Sequence, residues 1–151
     1  MTSLGRQQSD NQNDGYVEMF GIIPPTGSNA IVVTCNNPVT YAFSGGSISA
    51  TGVDQVNPIR TAVTAYGSGT SIQSGVIAGT SKDLFIDAAC CGSPINTSTQ
   101  TLRILQDHDS NTGAGNFGMS TAPGATSANM GYSSSSDWWG IVGIALRAVG
   151  T

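Results

Sequence analysis

Charged side chains are scarce in this chain of 151 residues, since they form 9% of it, against about 25% in a typical soluble domain. Five Lys and Arg residues are too few to neutralise a run of phosphates, which argues against nucleic acid and against an anionic membrane surface as partners. The single Glu and the single Lys exclude the composition of a helical bundle or a coiled coil. The low charge density also excludes a disordered acidic or basic tail.

Long apolar runs are missing as well. Residues 1–13 are polar and offer no apolar stretch of the kind that a secretory signal needs. The longest apolar run, residues 138–149, is interrupted by Arg147 and is shorter than the ~20 residues that span a bilayer. The sequence therefore predicts a soluble protein that is made in the cytosol.

Groups that move protons or bind metals are few. The one histidine, His108, stands between Asp107 and Asp109, where adjacent side chains point apart, so we interpret it as part of a solvated turn. The glycines of Gly113-x-Gly115-x-x-Gly118 match a dinucleotide-binding string, but no helix is predicted after them. The nine carboxylates are scattered or lie in loop-like segments. The sequence therefore predicts no enzyme, no catalytic or metal site and no cofactor.

Cysteine is also rare, with Cys35, Cys90 and Cys91 as its three members. Adjacent cysteines seldom bridge each other because a disulfide needs a particular separation and torsion. A bridge from Cys35 to either of the others would leave an odd thiol. We therefore expect three buried, reduced cysteines that contribute packing.

Small and hydroxylated residues are abundant instead, since 20 Gly, 19 Ser and 16 Thr make up over a third of the chain. Runs rich in β-branched residues alternate with turn formers, which is typical of an all-β domain, and the length fits one domain. We predict a single antiparallel β-sandwich, jelly-roll-like, of about eight or nine strands with little or no helix. It spans residues 16–151 and follows a polar arm or loop at residues 1–15, with at most a short strand near Ser3 and Leu4.

The predicted strands are separated by short, turn-rich gaps. They cover residues 16–23, 30–35, 40–51, 60–66, 71–78, 83–89, 101–106, 115–120 and 138–148. The first two are expected to form a hairpin across Pro24-Pro25-Thr26-Gly27. In the turn at residues 52–59, we expect the side chains of Asp54 and Asn57 to accept hydrogen bonds from nearby backbone N–H groups.

The last predicted strand is apolar on both faces, which indicates a central strand that is covered on both sides. One face carries Trp139, Ile141 and Ala145, and the other carries Val142, Ile144 and Leu146. Because Trp138 and Trp139 are adjacent, they should face opposite sides. One of them would enter the core while the other packs against a sheet neighbour, a partner subunit or a sugar.

Two segments resemble a known group of domains. Residues 16–59 combine a strand, the sequence PPTGSN, a Val-rich strand and a strand that runs into GVDQVNPI, and the chain closes with WWGIVGIALRA. This is similar to β-sandwich domains of tailed-bacteriophage virion proteins and of some bacterial surface proteins. In that group a G-V-D-x-x-x-P turn follows a Ser/Ala-rich strand, and a Trp-led strand ending in Leu-Arg or Leu-Lys closes the domain. The resemblance covers about residues 16–148 and brings no catalytic residues with it.

The resemblance implies a non-enzymatic virion protein, a capsid decoration or minor capsid protein that binds the major capsid protein. It would reinforce the shell as a homo-oligomer, for example a trimer, after synthesis in the host cytoplasm. The alternative is a tail or fibre component that binds host-surface glycan through a platform of Trp139, Tyr132 and the Asn- and Ser-rich loops. Members of the group have further strands before the segment that matches residues 2–14, so we also expect an open sheet edge that seeks a partner.

Overall fold

A computed structural model describes residues 1–10, 15–23, 27, 30–36, 43–107 and 115–151. Within these ranges the chain is all-β, with eight strands and no helix, which confirms the predicted fold class. The strands are β1 (Thr2–Gln8), β2 (Tyr16–Gly21), β3 (Ile59–Ala78), β4 (Leu84–Cys91), β5 (Ile95–Ser98), β6 (Thr101–Gln106), β7 (Asn116–Pro123) and β8 (Ser127–Leu146).

Two antiparallel sheets build the molecule. β1 and β2 form a two-stranded ribbon. The other six strands form one sheet, in which five follow the order β3-β8-β4-β7-β6 and β5 pairs with β8. β3 and β8 are each 20 residues long and pair along almost their whole length. The second half of β8 pairs with β4, whereas its first half pairs with β5. β3 and β8 therefore both run through the two halves of the sheet, and β8 has a second partner strand in each half.

The long β3–β8 ladder is interrupted at two places. Between Gly69 and Ser71 of β3 the partner changes from Asp137 to Ser133, so β8 has extra residues there. Further along, Ser74 and Gly75 together oppose Met130, and Gly75 has a φ of 75°, a conformation that favours glycine. Such bulges bend a strand and increase its twist. They let the far half of the ladder (residues 71–78 of β3 and 127–133 of β8) fold back over the near half (residues 59–69 of β3 and 137–146 of β8).

The core therefore has three layers. The far half of the ladder covers one face of the sheet that the near half forms with β4. There Ile77 packs closely on Gly143, since a Cβ added to Gly143 would lie 2.6 Å from Ile77 Cδ1. The ribbon of β1 and β2 covers the opposite face through Val17 and Met19. Each fully buried aliphatic or aromatic side chain contributes roughly 1.5–3 kcal/mol to folding, so this double burial is the main source of stability.

The closing strand has the environment that the sequence predicted. The near half of β8 lies between β3 and β4. Val142 and Ile144 belong to the cluster that faces β2, and Leu146 packs against it. On the other face, Trp139 and Ile141 share a cluster with Ile72, and Ala145 packs with Ile77 and Phe85.

Several predicted strand boundaries are wrong. Residues 2–8, expected to be mainly loop, form β1, whose Gly5 lies against Val142 of β8. Residues 30–35 and the described part of 40–51 belong to no strand. Residues 60–66 and 71–78 are parts of one strand, and β5 and the first half of β8 were not predicted. Most of the proposed Pro-Pro turn lies outside the described residues.

The cysteine prediction is correct in part. All three thiols are free. Cys91 is buried and Cys90 is half-buried, and burial raises the pKa of the Cys90 thiol to about 11. Cys35, however, is exposed, because the segment that carries it packs into no sheet. The expected packing role therefore applies to Cys90 and Cys91 alone.

Candidate functional site

Of the residues considered for chemistry, those that the structure describes do not come together in a site. His108 lies outside the described residues, so its interpretation as a solvated turn stays a prediction. In the part of the chain that the structure describes, no three His, Cys, Asp or Glu side chains converge as metal ligands would. Gly118 of the glycine string lies inside β7, a strand, where the dinucleotide motif would require a helix.

The two tryptophans face opposite sides, as predicted. Trp138 is 50% exposed, whereas Trp139 is 8% exposed and packs in the core with Tyr132, which is 2% exposed. The glycan platform of Trp139 and Tyr132 is therefore wrong, because neither ring can reach a sugar without opening the core. Both side chains have a structural role between the two halves of the sheet.

A buried carboxylate is the polar site that sequence reasoning missed. Asp87 of β4 is fully buried, and its Oδ1 accepts hydrogen bonds from Ser120 N at 2.8 Å, from Ser120 Oγ at 2.9 Å and from Tyr132 Oη. Among the described residues its Oδ2 has no partner. Burial raises the pKa of Asp87 to about 6, although these three hydrogen bonds act in the opposite direction.

The alternation along β4 contained the signal for this site. Asp87 shares a face of the strand with Phe85 and Ala89, both of which are fully buried. A carboxylate on that face must enter the core. With Tyr132 and Ser120 as its donors, Asp87 links β4, β7 and the far half of β8, so it ties together the two layers of the folded sheet.

A second carboxylate, Asp83, joins the ends of three segments. It accepts from Arg60 Nε at 2.6 Å, from Thr80 N at 2.8 Å and from Ala148 N at 3.4 Å. Burial opposes its ionisation, but Arg60 and the two N–H groups outweigh burial and lower the pKa of Asp83. Arg60 also donates to Thr151 Oγ1 at 3.0 Å. This cluster fastens the start of β3 to the β3–β4 turn and to the segment after β8.

The turn at residues 52–59 closes through Asp54, as predicted. Its Oδ1 accepts from Val56 N at 2.8 Å and from Asn57 N at 3.0 Å. The role predicted for the Asn57 side chain is not confirmed, because Asn57 takes part here as a backbone donor. Beside this turn, Gly52, Lys82 and Arg147 line a depression of about 50 Å³. That volume holds one or two water molecules, whereas sites for small organic ligands measure roughly 300–1,000 Å³.

Exposed apolar side chains are the most unusual surface feature. Ile31, Val32 and Val33 are consecutive and more than half exposed, and they lie in no strand. Neighbouring parts of the chain add exposed side chains at Phe20, Ile22, Ile23 and Phe43. Monomeric soluble proteins rarely leave large apolar patches uncovered, and those that do usually bind a partner there.

The outer edge of β3 is the second such feature. Among the described residues β3 pairs with β8 alone, which leaves its other edge open. Natural edge strands are usually short, or are protected by charges or prolines. β3 has 20 residues, no proline and a single charged residue, Arg60, near its start. Between Thr61 and Gly69, where no bulge interrupts it either, β3 therefore lacks the features that prevent pairing with another chain.

Comparisons of the chain with protein-family models, with curated proteins and with solved structures found no match. The resemblance to phage virion domains therefore stays a prediction. No helix in the described ranges is long and apolar enough to cross a membrane.

Proposed function

We propose that this chain is a non-enzymatic structural protein that acts by associating with copies of itself and with a larger assembly. Within that class we propose a virion protein of a tailed bacteriophage, of the capsid decoration or minor capsid type. The observation that carries the proposal is the coexistence of exposed Ile31, Val32 and Val33 with the open edge of β3.

The energetics favour association through several contacts at once. Covering a half-exposed Ile, Val or Phe side chain contributes roughly 1–2 kcal/mol. Six such side chains lie in the stretch after β2: Ile22, Ile23, Ile31, Val32, Val33 and Phe43. Their sum is comparable with the ~4–15 kcal/mol that association costs in lost freedom. Backbone hydrogen bonds along the open edge, or contacts with several neighbours, would supply the rest.

The low charge suits such a role. A net charge of −4 on 151 residues produces little repulsion when many copies are crowded on one particle. Copies that bridge neighbouring subunits of a shell would add interface area, which resists internal pressure without any chemical step.

Two measurements test the proposal. Sedimentation velocity of the purified protein should show assemblies larger than the monomer over a wide range of concentration. Antibodies against the protein should label the shell of intact particles of the encoding phage in negative stain. Label on the tail would replace the capsid assignment by a tail one. A permanently monomeric protein, or particles without label, would contradict the proposal.

A further inference from the structure

One segment of this chain could serve as an added strand, and one strand has an edge that could accept it. Residues 30–36 have the composition of a strand but belong to no sheet, and β3 has an edge that no described strand occupies. We propose that residues 30–36 of one copy add as a strand to the outer edge of β3 in a second copy. This inference rests on the proposed self-association and names the contact that produces it.

The donor segment fits strand addition. Its sequence, AIVVTCN, is rich in β-branched residues and carries no charge. In an extended chain Ile31, Val33 and Cys35 lie on one face, and Val32 and Thr34 lie on the other. All of them are exposed in the single copy. Pairing with a sheet edge would cover these side chains and satisfy the backbone groups of the segment.

The acceptor edge is regular over the required length. From Thr61 to Gly69 the register with β8 is unbroken, because the irregularities fall before Thr61 and after Gly69. A seven-residue strand extends over about 23 Å, which nine residues of edge accommodate. On this stretch Ala62, Thr64, Tyr66 and Ser68 are exposed, and Tyr66 offers an aromatic surface to an incoming Val or Ile.

The geometry also determines the type of assembly. Donor and acceptor are different surfaces of the same chain, so each copy can give one strand and receive one. Such a head-to-tail contact closes into a ring when its rotation allows, and otherwise continues as a filament. A ring of three copies would be the simplest assembly compatible with the predicted trimer.

A charge placed in the donor segment provides the first test. Val32→Lys should weaken self-association at least tenfold in sedimentation velocity, because a charged side chain disfavours pairing at an edge. Val56→Lys is the matched control, since both valines are exposed (80% and 85%) and neither lies in a strand. Association of Val32→Lys at wild-type strength would overturn the proposal.

The native thiol of the donor segment provides the second test. Thr64→Cys, Tyr66→Cys or Ser68→Cys should form an intermolecular disulfide with exposed Cys35 under mild oxidation, at the position that the register selects. Adding Cys35→Ser should abolish the linked species. Val56→Cys, which is also exposed but lies outside β3, should give only the background of the wild type.

The outcomes separate the two proposals. A protein that remains monomeric contradicts both self-association and strand addition. A protein that assembles normally with Val32→Lys, and in which no edge cysteine links to Cys35, retains self-association but excludes this contact. Loss of assembly in Val32→Lys but not in Val56→Lys, together with disulfides that depend on Cys35, supports both proposals.

Discussion

Asp87 shows how one side chain couples the core to pH. Its carboxylate is buried, and its three hydrogen bonds come from neutral groups: Ser120, which donates twice, and Tyr132. Burial disfavours the charged form by more than these hydrogen bonds favour it, so the pKa of Asp87 rises from 3.8 to about 6. The folded state consequently binds a proton more tightly than the unfolded chain does. Stability associated with this group is complete below pH 3.8 and is lost as the pH rises to about 6.

We expect Asp87→Asn to remove this pH dependence. In the wild type the free energy of unfolding should fall by about 3 kcal/mol across that window through Asp87, and the variant should lack that fall. Equilibrium urea unfolding at a series of pH values measures the difference.

Asp54→Asn is the control for that experiment. Backbone hydrogen bonds from Asn57 and Val56 lower the pKa of Asp54, so its contribution is present above pH 3.8 and is lost on further acidification. Asp54→Asn should therefore change the pH dependence of the free energy of unfolding only below pH 3.8. An unchanged slope between pH 3.8 and about 6 in Asp87→Asn would show that Asp87 is not the group responsible.

At the scale of strands, the sequence predicts an element well where its own pattern requires burial. The near half of β8 is apolar on both faces, so only a central position suits it, and it was predicted correctly. The far half contains Ser133, Ser134 and other small polar residues, which show no alternation. It becomes a strand because β3 and β5 supply backbone partners. Residues 30–35 have a strand-like composition but pair with no strand among the residues that the structure describes.

The sequence likewise predicts a polar site only where its hydrogen-bond partners are close in the chain. Asp54 closes its turn through bonds to residues two and three positions further along, so the local sequence predicted it. Asp87 depends on Ser120 and Tyr132, which lie 33 and 45 residues away. No local pattern shows that these side chains meet. The face of β4 that Asp87 shares with Phe85 was the available indication.

The bulge at Gly75 gives a prediction at this scale. Gly75→Ala should lower the free energy of unfolding by about 1–2 kcal/mol, because alanine is strained in the left-handed region. An added Cβ would meet no atom within 4 Å, so the cost comes from the backbone alone. Urea unfolding at a fixed protein concentration measures it, since assembly makes the apparent stability depend on concentration.

Gly45→Ala is the matched control for the bulge. An added Cβ also meets nothing there, and Gly45 is not among the glycines with positive φ. It should change stability by less than about 0.5 kcal/mol. Equal effects of the two substitutions would mean that the bulge imposes no special conformation at Gly75.

At the scale of the whole molecule, the shortage of charge determines how assembly should respond to salt. Apolar and backbone contacts are barely screened, so sodium chloride should change the association constant little. Sulfate, which is excluded from protein surfaces, should strengthen association. Sedimentation velocity in the two salts at equal ionic strength measures both effects. A steep loss of assembly in sodium chloride would show instead that the few ion pairs dominate the interface.

The position of β8 in the chain affects the order in which the protein can fold during synthesis. β3, β4 and β5 all pair with β8, yet each is translated before it. Until β8 has been synthesised, Ile72 and Ile77 lack Ile141 and Ala145, the β8 side chains in their clusters, and the three-layered core cannot form. Folding must therefore wait for the last strand, and nascent chains of this protein should depend on chaperones that shield unpaired strands.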